Sequence, residues 1–440
     1  MPHGRIMDKY TLIGLKALQH MAVLAQAQGE RLAAQGTFSA LRNHDFRLYF
    51  AGLLISQSGT WMQNIAQGYL VYSLTGSEAA LGLVALAMGL PLLFISPMAG
   101  VIVERTPRRR MLQITQSVQM MLAIILTILA ATGTVQVWHV IGLAFILGTT
   151  SAFDAPARMT IIAEVVRRED LSSGITLGSI LNSATRVLGP TAAGIVLAQF
   201  GVVWCFLLNA ISFLAVIGCL AMMDVPYASP TPTGKAEPLR QLREGFAYVR
   251  GEASVMSILL LASVCGFFLL PILQMLPAVA EATIHSYSDG YALLSAAEGA
   301  GALIAGLTTS YLALRFSRGR LIAGALLMNA ALITVLGFQT GAVPAAALTV
   351  LVGFSLIMLM VNMNTGLQLM LPNAFRSRAM SLYMLTLMGL SPFGALSLGL
   401  LAEVVGIAPA LAVFGLTAAL LGGTIILRRH PGRLETAPAV

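Results

Sequence analysis

The chain has 440 residues, of which 57% are apolar and 10% are charged, whereas soluble domains carry roughly 25% charged residues. So few charges cannot cover a water-facing surface of normal size, and we therefore expect lipid to cover much of it. The formal charge of +8 does not indicate nucleic-acid binding, because the basic residues stand in short clusters between long apolar runs.

The N-terminal segment, residues 1–41, contains no compact apolar stretch that ends in small residues, as a cleavable signal peptide would. Its pattern predicts an amphipathic cytoplasmic tail, helical around residues 12–34.

Twelve apolar runs follow, and each is long enough to cross a bilayer core, which takes about 20 apolar residues in a helix. The predicted spans are 46–72, 78–103, 111–132, 138–157, 173–198, 201–223, 253–280, 289–313, 320–338, 344–370, 377–402 and 405–427. A polar linker at 224–252 separates two halves, 42–223 and 253–427, and residues 428–440 form a C-terminal tail. This pattern predicts an all-α membrane protein with twelve transmembrane helices in two pseudo-symmetric six-helix bundles.

Basic residues mark alternate turns between these spans. They cluster before span 1, after spans 2, 4, 6, 8 and 10, and after span 12, and the one exception is Arg186 inside span 5. Loops that carry Lys and Arg remain in the cytoplasm, so we expect both termini in the cytoplasm and the protein in a bacterial inner membrane. A 6+6 arrangement about a cytoplasmic linker is typical of major facilitator transporters, whose halves rock around a site at the middle of the membrane.

A loop motif lies between spans 2 and 3, where residues 100–109 read Gly-Val-Ile-Val-Glu-Arg-Thr-Pro-Arg-Arg. It resembles the major facilitator motif Gly-x-x-x-Asp-Arg-x-Gly-Arg-Arg, with Glu for Asp and Pro for the second Gly. The matching residues are Gly100, Glu104, Arg105, Arg108 and Arg109. The resemblance implies a latch in which the acid pairs with nearby arginines and holds the cytoplasmic helix ends together. The alternative is that these arginines only anchor the topology.

A second motif in span 5, formed by Gly189, Pro190 and Gly194, resembles the Gly-Pro-x-x-Gly-Gly motif of the antiporter branches of the same superfamily. Small residues let helices pack closely, so generic packing is the alternative interpretation. The segments at 46–49, 58–63, 153–158 and 378–384 look like the bacterial exporter group that includes enterobactin exporters and macrolide efflux proteins. That group implies export by ion exchange and leaves the substrate open.

The chain departs from many drug/proton antiporters in span 4. Those proteins carry an Arg four residues before a Gly, whereas this chain has Ala144 before Gly148, and its span 1 has no internal acid. The usual route for proton coupling between helices 1 and 4 therefore lacks its residues here.

Two charged side chains stand near the middle of the membrane, Arg186 in span 5 and Glu298 in span 8. Charges at such depth usually face a cavity or a partner, and in the fold that the chain resembles, helices 5 and 8 face each other across the two halves. We hypothesise that the two side chains pair in one conformational state and separate in another, because protonation of Glu298 would weaken the pair. Alternatively, Arg186 binds an anionic substrate directly, or each side chain bonds separately to backbone.

Uncharged polar residues at helical spacing indicate a lined cavity. The candidate cavity residues are Gln57, Trp61 and Asn64 in span 1, Asn182 in span 5, Gln274 in span 7, and Asn364 and Gln368 in span 10. The ring of Trp61 could stack on a ring of the substrate. The alternative is a polar stripe that only hydrogen-bonds neighbouring helices.

Asp154 and Arg158 lie four residues apart near the cytoplasmic end of span 4. This spacing predicts an ion pair along the helix, and we expect it to gate or cap the helix rather than to contact substrate.

Other function classes lack their residues. A nucleotide-driven pump would need a Gly-x-x-x-x-Gly-Lys-Ser/Thr loop, and the sequence contains none. The histidines lie in tails or near span ends, which argues against an intramembrane enzyme. The cysteines and methionines are scattered, so we expect no metal site and no cofactor. The sequence predicts a monomeric secondary exporter of a small organic molecule, drug-like or siderophore-like, driven by a proton gradient. An uptake porter of the same fold and a non-transporting receptor or scaffold are the alternatives.

Overall fold

We analysed a computed structural model of the chain, which describes residues 38–224, 246, 249–285 and 288–429. The predicted helical tail, most of the linker and the last eleven residues lie outside this part. The described residues form twelve long helices, preceded by a short 3-10 turn at Ser39–Arg42. The first bundle contains α1 (His44–Thr75), α2 (Glu78–Glu104), α3 (Arg108–Ala131), α4 (Val137–Val165), α5 (Leu171–Phe200) and α6 (Val202–Met222).

The second bundle contains α7 to α12. Helix α7 has two pieces, Ala253–Val264 and Ile272–Ile284, joined by a π-helical turn at Cys265–Leu269. The others are α8 (Ser288–Arg315), α9 (Arg318–Leu336), α10 (Ala342–Met370), α11 (Asn373–Val405) and α12 (Ile407–Arg429). Each predicted span corresponds to one helix, and the prediction of an all-helical protein with two six-helix halves is confirmed.

One predicted boundary was wrong. Span 4 was expected to end at residue 157, because spans were cut at charges and at Gly/Pro positions and Arg158 comes next, yet α4 continues to Val165. The helix accommodates Pro156, and the Arg158 side chain pairs with Asp154 one turn back in the same helix. A charge that is paired within its own helix does not mark the helix end.

Eleven of the described helices are long and apolar enough to cross a membrane, counting α7 as one span. The exception is α1, because glutamine and asparagine side chains interrupt its middle turns. At its end Gly76 takes a left-handed conformation with φ 60°, and Ser77 then caps α2 by accepting a hydrogen bond from the Ala80 N–H at 3.2 Å. The turn between α1 and α2 is therefore tight.

The two bundles repeat the same packing. Helix α1 packs on α5 and α6, as α7 packs on α11 and α12; α2 packs on α4, as α8 packs on α10; and α3 packs on α6, as α9 packs on α12. The interface between bundles is also repeated, since α5 packs on α8 and α2 packs on α11. This correspondence supports a pseudo-twofold relation between the halves.

We call the side where α1 begins and α12 ends the terminal face, and the opposite side the far face. The bundles are in close contact towards the far face. A Cβ atom added at Gly82 of α2 would lie 2.6 Å from the carbonyl oxygen of Ala395 in α11, and one added at Gly194 of α5 would lie 2.6 Å from the Ala292 Cβ in α8. Small residues thus let the bundles meet there.

The bundles diverge towards the terminal face. Gly100 lies further along the same face of α2 as Gly82, and a Cβ atom there would meet nothing within 4 Å. Gly306 lies on roughly the same face of α8 as Ala292, two heptads later, and also meets nothing within 4 Å. The structure is therefore closed at the far face and open at the terminal face.

The crossing of α8 and α10 yields a stability prediction with a matched control on the same helix. A Cβ atom at Gly301 would overlap the Val350 carbonyl oxygen and lie 2.8 Å from the Phe354 nitrogen. Gly301→Ala should therefore force the two helices apart and destabilise the protein by about 1–3 kcal/mol. Gly306→Ala, which meets open space, should melt like the wild type. Thermal unfolding of the detergent-solubilised variants measures the difference, and equal melting temperatures would contradict the close crossing.

Candidate functional site

An ion pair joins the two bundles at the centre of the molecule. The Arg186 Nη2 of α5 lies 2.9 Å from the Glu298 Oε1 of α8, and the side chains are 23% and 8% exposed. The pairing expected from the similar depth of the two residues is thus observed in this conformation. Their separation in another conformation stays a prediction.

Glycines bring both charged residues into position. A Cβ atom at Gly189 of α5 would overlap the Trp61 Cβ of α1, and one at Gly353 of α10 would overlap the Glu298 carbonyl oxygen. Helix α5 therefore lies directly against α1 one turn beyond Arg186, and α8 lies directly against α10 at Glu298. In the helix-5 motif, Gly189 thus serves the contact with α1, and Gly194 serves the contact with α8.

Pro190, the third residue of that motif, affects the backbone at the ion pair. Proline has no N–H, so the carbonyl oxygen four residues earlier in the helix loses its usual donor. That carbonyl belongs to Arg186. The motif therefore removes one backbone hydrogen bond at the residue that carries the central positive charge.

The aromatic ring of Trp61 supports the guanidinium. The Arg186 Cζ lies 5.4 Å from the centre of the Trp61 ring, within the range in which a cation is attracted to an aromatic face. The Arg186 Nε is buried and has no hydrogen-bond partner among the described residues. The guanidinium is thus held by α1 and α8 and keeps one donor unused.

A pair of amides lies one helical turn closer to the terminal face. The Gln57 Nε2 of α1 donates to the Asn182 Oδ1 of α5 over 3.3 Å. Gln57 precedes Trp61 by four positions, and Asn182 precedes Arg186 by four positions. The amide pair therefore lies on the same faces of α1 and α5 as Trp61 and Arg186. Asn182 is exposed and Gln57 is half-buried, and their role in lining the central cavity stays a prediction.

Asn64 and Gln274 each lie about one turn from the contact between α1 and α7. A Cβ atom at Gly68 of α1 would lie 3.2 Å from the Pro277 Cγ of α7. Asn64 precedes Gly68 by one turn and Gln274 precedes Pro277 by about one turn. Each therefore lies about one turn nearer the terminal face than this contact. Asn64 is half-buried and Gln274 is exposed.

The polar residues of α10 form a pair of their own. The Gln368 Nε2 donates to the Asn364 Oδ1 over 2.6 Å, so the prediction that they share a face is confirmed. The neighbouring Asn362 is buried and donates to the Met358 carbonyl. The structure gives Asn364 and Gln368 no contact with the Arg186–Glu298 pair, and their role in lining the cavity stays a prediction.

Asp154 is the centre of a polar network that connects helices within the first bundle. It pairs with Arg158, as its spacing predicted, and it accepts hydrogen bonds from the Thr115 Oγ1 at 2.7 Å and the Gln116 Nε2 at 2.8 Å, both in α3. Gln116 in turn accepts from the Ser56 Oγ of α1 at 3.4 Å. This network ties α1, α3 and α4 together, in agreement with a structural rather than a substrate-binding role.

The arginines of the loop motif bind within the first bundle. The Arg108 Nε lies 3.2 Å from the Glu164 Oε1 at the end of α4, and the Arg109 Nη2 donates to the Ala221 carbonyl near the end of α6 over 2.7 Å. Arg105 is an exposed residue that ends α2, and the side chain of Glu104 lies outside the described part. The motif therefore holds the terminal ends of α3, α4 and α6 together in this conformation.

Three polar partners were missed from the sequence. Glu164 binds Arg108, the Asn209 Nδ2 of α6 donates to the Gln63 Oε1 of α1 over 2.7 Å, and the Glu403 Oε2 of α11 accepts from the Ser77 Oγ over 2.9 Å. The last contact joins the bundles at the far face. Its only sequence signal was an acid at the far end of an apolar span.

Comparison with known proteins decides the family. The family model described as "transmembrane secretion effector" matches residues 35–437, nearly the whole chain.

The chain belongs to this family of major facilitator transporters.

Curated relatives of this chain are bacterial transporters. It is 26% identical to the staphyloferrin A transporter of Staphylococcus aureus over 52% of this chain, and the match spans 58% of that relative. It is 24% identical to macrolide efflux protein A of Streptococcus pyogenes over 66% of this chain and 72% of that relative.

Solved structures share its fold at low sequence identity. The nucleoside transporter NupG superposes with a TM-score of 0.72 at 11% identity, over 87% of this chain and 99% of that one. A bacterial homologue of the iron transporter ferroportin, in an inward-facing state, superposes with a TM-score of 0.67 at 16% identity, over 87% of this chain and 98% of that one. These similarities confirm the two-bundle fold of the chain.

The central Arg186–Glu298 ion pair yields a prediction for a double-mutant cycle. Arg186→Gln and Glu298→Gln should each destabilise the solubilised protein, because each leaves one poorly hydrated charge without its partner. The double variant should lose less stability than the sum of the two, with a coupling energy of about 0.5–3 kcal/mol. Chemical or thermal unfolding of the four proteins measures this energy. Strict additivity would show that the two side chains do not interact in solution.

Proposed function

We propose that this protein is a secondary active exporter, which moves a small drug-like or siderophore-like molecule out of a bacterial cell by alternating access in exchange for protons. The observation that carries the proposal is the Arg186–Glu298 ion pair, which links two bundles that are closed at the far face and open at the terminal face. The family description, secretion, and the relatives named for macrolide efflux and staphyloferrin A transport support a small-molecule cargo.

The arginine distribution supports a cytoplasmic terminal face. Described arginines in the turns after α2, α4 and α8 all lie on this side, as do those around the start of α1 and the end of α12. Basic loops remain in the cytoplasm, so the inner membrane is the expected location and the described conformation faces inward.

In the proposed cycle the ion pair controls the movement of the bundles. Separating α5 from α8 while both residues are charged would leave two poorly solvated ions, which is costly inside a membrane. The bundles can rock when a proton neutralises Glu298 or when another group satisfies Arg186. The site then carries a proton when it moves from the outside to the inside, and it carries a substrate when it moves back. The two steps together exchange protons for substrate.

Few other charges surround the pair. Helix α10, which packs on Glu298, contains no charged residue, and α1 contains none after Arg47. Glu281 and His285 lie at the far end of α7. Because Ala144 replaces the Arg of the usual antiporter position, we assign the protonation step to Glu298.

Transport in inverted membrane vesicles tests the function. In vesicles from a strain without its own multidrug exporters, the wild type should accumulate a radiolabelled macrolide or staphyloferrin A when respiration is energised. Collapse of the pH gradient by nigericin should abolish this. Glu298→Gln should reduce gradient-driven accumulation roughly tenfold yet retain exchange of labelled for unlabelled probe, because the proton step alone is lost.

The control for this experiment is Glu169→Gln, an exposed acid before α5, which should transport like the wild type. Accumulation by Glu298→Gln that still follows the pH gradient at the wild-type rate would refute the role of Glu298. Failure of the wild type to accumulate either probe against a gradient would refute export of these two compounds.

The far-face contact gives a second test of alternating access. Ser77 and Glu403 lie in different bundles and are hydrogen-bonded there, so a link between these positions should keep the far face closed. In a protein without native cysteines, Ser77→Cys with Glu403→Cys should lose transport after reaction with a short bis-methanethiosulfonate cross-linker and regain it on reduction. The single Ser77→Cys variant, treated alike, should stay active. Full transport by the cross-linked protein would contradict opening at the far face.

A further inference from the structure

The two interfaces between the bundles, α5 with α8 and α2 with α11, carry different residues at the centre of the molecule. The pseudo-twofold relation between the bundles identifies which residues correspond. Gly353 of α10 packs on the backbone of Glu298 in α8, and Gly148 of α4 packs in the same way on the backbone of Met88 in α2. Met88 is therefore the counterpart of Glu298. The methionine is 37% exposed.

The same comparison applies to α5 and α11. Pro190 lies inside α5 and Pro392 inside α11, at corresponding places. Counting back four residues from each proline pairs Arg186 with Met388, which is 42% exposed. The interface between α5 and α8 thus carries an ion pair where the interface between α2 and α11 carries two accessible methionines.

Of the two charged groups, Arg186 is the one that a ligand from the open side would meet. Its side chain is 23% exposed, whereas that of Glu298 is 8% exposed. Its buried Nε–H lacks an acceptor among the described residues, and a guanidinium can bind a carboxylate through two parallel N–H groups.

The amide pair extends the site towards the opening. The hydrogen bond between Gln57 and Asn182 uses one amide N–H and one carbonyl oxygen. The Asn182 amide nitrogen and the Gln57 carbonyl oxygen have no partner in the part of the chain that the structure describes. They offer one donor and one acceptor about one helical turn, or roughly 5.4 Å, from the guanidinium.

We infer that this site takes an amphipathic organic anion, whose carboxylate or similar planar oxyanion binds Arg186 beside Trp61 while its apolar body lies towards Met88 and Met388. The inference deepens the proposed export function and rests on it only for the direction of movement. The bound anion supplies Arg186 with an acceptor in place of Glu298, which is the condition for separating the bundles on the outward journey. Methionine side chains adapt to apolar bodies of varied shape.

Fluorescence of Trp61 tests the inference directly. The chain has three tryptophans, and Trp138 and Trp204 are both exposed residues near helix starts. Trp138→Phe with Trp204→Phe leaves Trp61 as the only reporter in the full-length protein, reconstituted in lipid nanodiscs. The probes are three matched sets of naphthalene, quinoline and biphenyl compounds, each as the carboxylate, the carboxamide and the aminomethyl derivative.

We expect each carboxylate to change the Trp61 emission with a dissociation constant roughly tenfold lower than that of its carboxamide, a difference of about 1.4 kcal/mol, because a hydrogen bond between two charged groups is stronger than one to a neutral amide. Arg186→Gln should remove this preference, whereas Arg186→Lys should retain part of it. Glu298→Gln should tighten carboxylate binding, because it removes the acid that competes for the guanidinium.

Equal binding of carboxylates and carboxamides, or no response to any carboxylate up to its solubility limit, would overturn the inference. Preferred binding of the aminomethyl compounds would overturn it as well and would make Glu298 the receptor for a cationic ligand. The binding result is independent of transport: carboxylate-selective binding without export in vesicles would refute the proposed function and leave the binding site standing.

Discussion

The Arg186–Glu298 ion pair is the constraint on which the arrangement of the two bundles depends. The Glu298 side chain is 8% exposed and the Arg186 side chain is 23% exposed, so both charges are incompletely hydrated and each is stabilised while the other, or a substitute, is within reach. Because Arg186 belongs to α5 and Glu298 to α8, a local electrostatic requirement becomes a condition on the position of whole bundles. The glycines at positions 189 and 353 strengthen this coupling, since they hold α5 on α1 and α8 on α10 without intervening side chains. A shift of either bundle is thereby transmitted to the charges.

Close packing and open space alternate along the same helix faces, and this alternation determines where the bundles can pivot. Gly82 and Gly194 permit backbone contact towards the far face, whereas Gly100 and Gly306 lie beside open space towards the terminal face. Glycine therefore has two different uses in the chain. At the far face it allows contact in the described conformation, and in the proposed cycle the glycines at the terminal face would allow contact after the bundles rock.

Much of the fold was predictable from the sequence, because apolar length and the position of arginines are direct consequences of the bilayer. The end of α4 was mispredicted because the span was cut before the charge of Arg158, although the predicted pair of Asp154 with Arg158 already required the helix to continue past residue 157. The Arg186–Glu298 pair was predictable from the similar depth of the two residues together with the resemblance to a fold in which helices 5 and 8 face each other. The contacts around the pair were not predictable. The hydrogen bond of Gln57 with Asn182 and the stacking of Trp61 depend on the rotation of α1 against α5, and the close contact at Gly189 determines that rotation only once the helices are packed. Glu164 was missed because the nearer acid in sequence, Glu104, was the obvious partner for Arg108.

The low apolarity of α1 follows from the same architecture. A helix with several amides in its middle turns would be a poor isolated span, yet α1 uses those amides on two sides. Gln63 is buried and accepts from Asn209 of α6 inside the bundle, whereas Gln57 and Asn64 are half-buried and are predicted to line the opening between the bundles. The helix is thus stable in a membrane only when its own bundle covers one polar side and the central opening hydrates the other. Its polarity therefore indicates, independently of the ion pair, that the space between the two bundles is accessible to water.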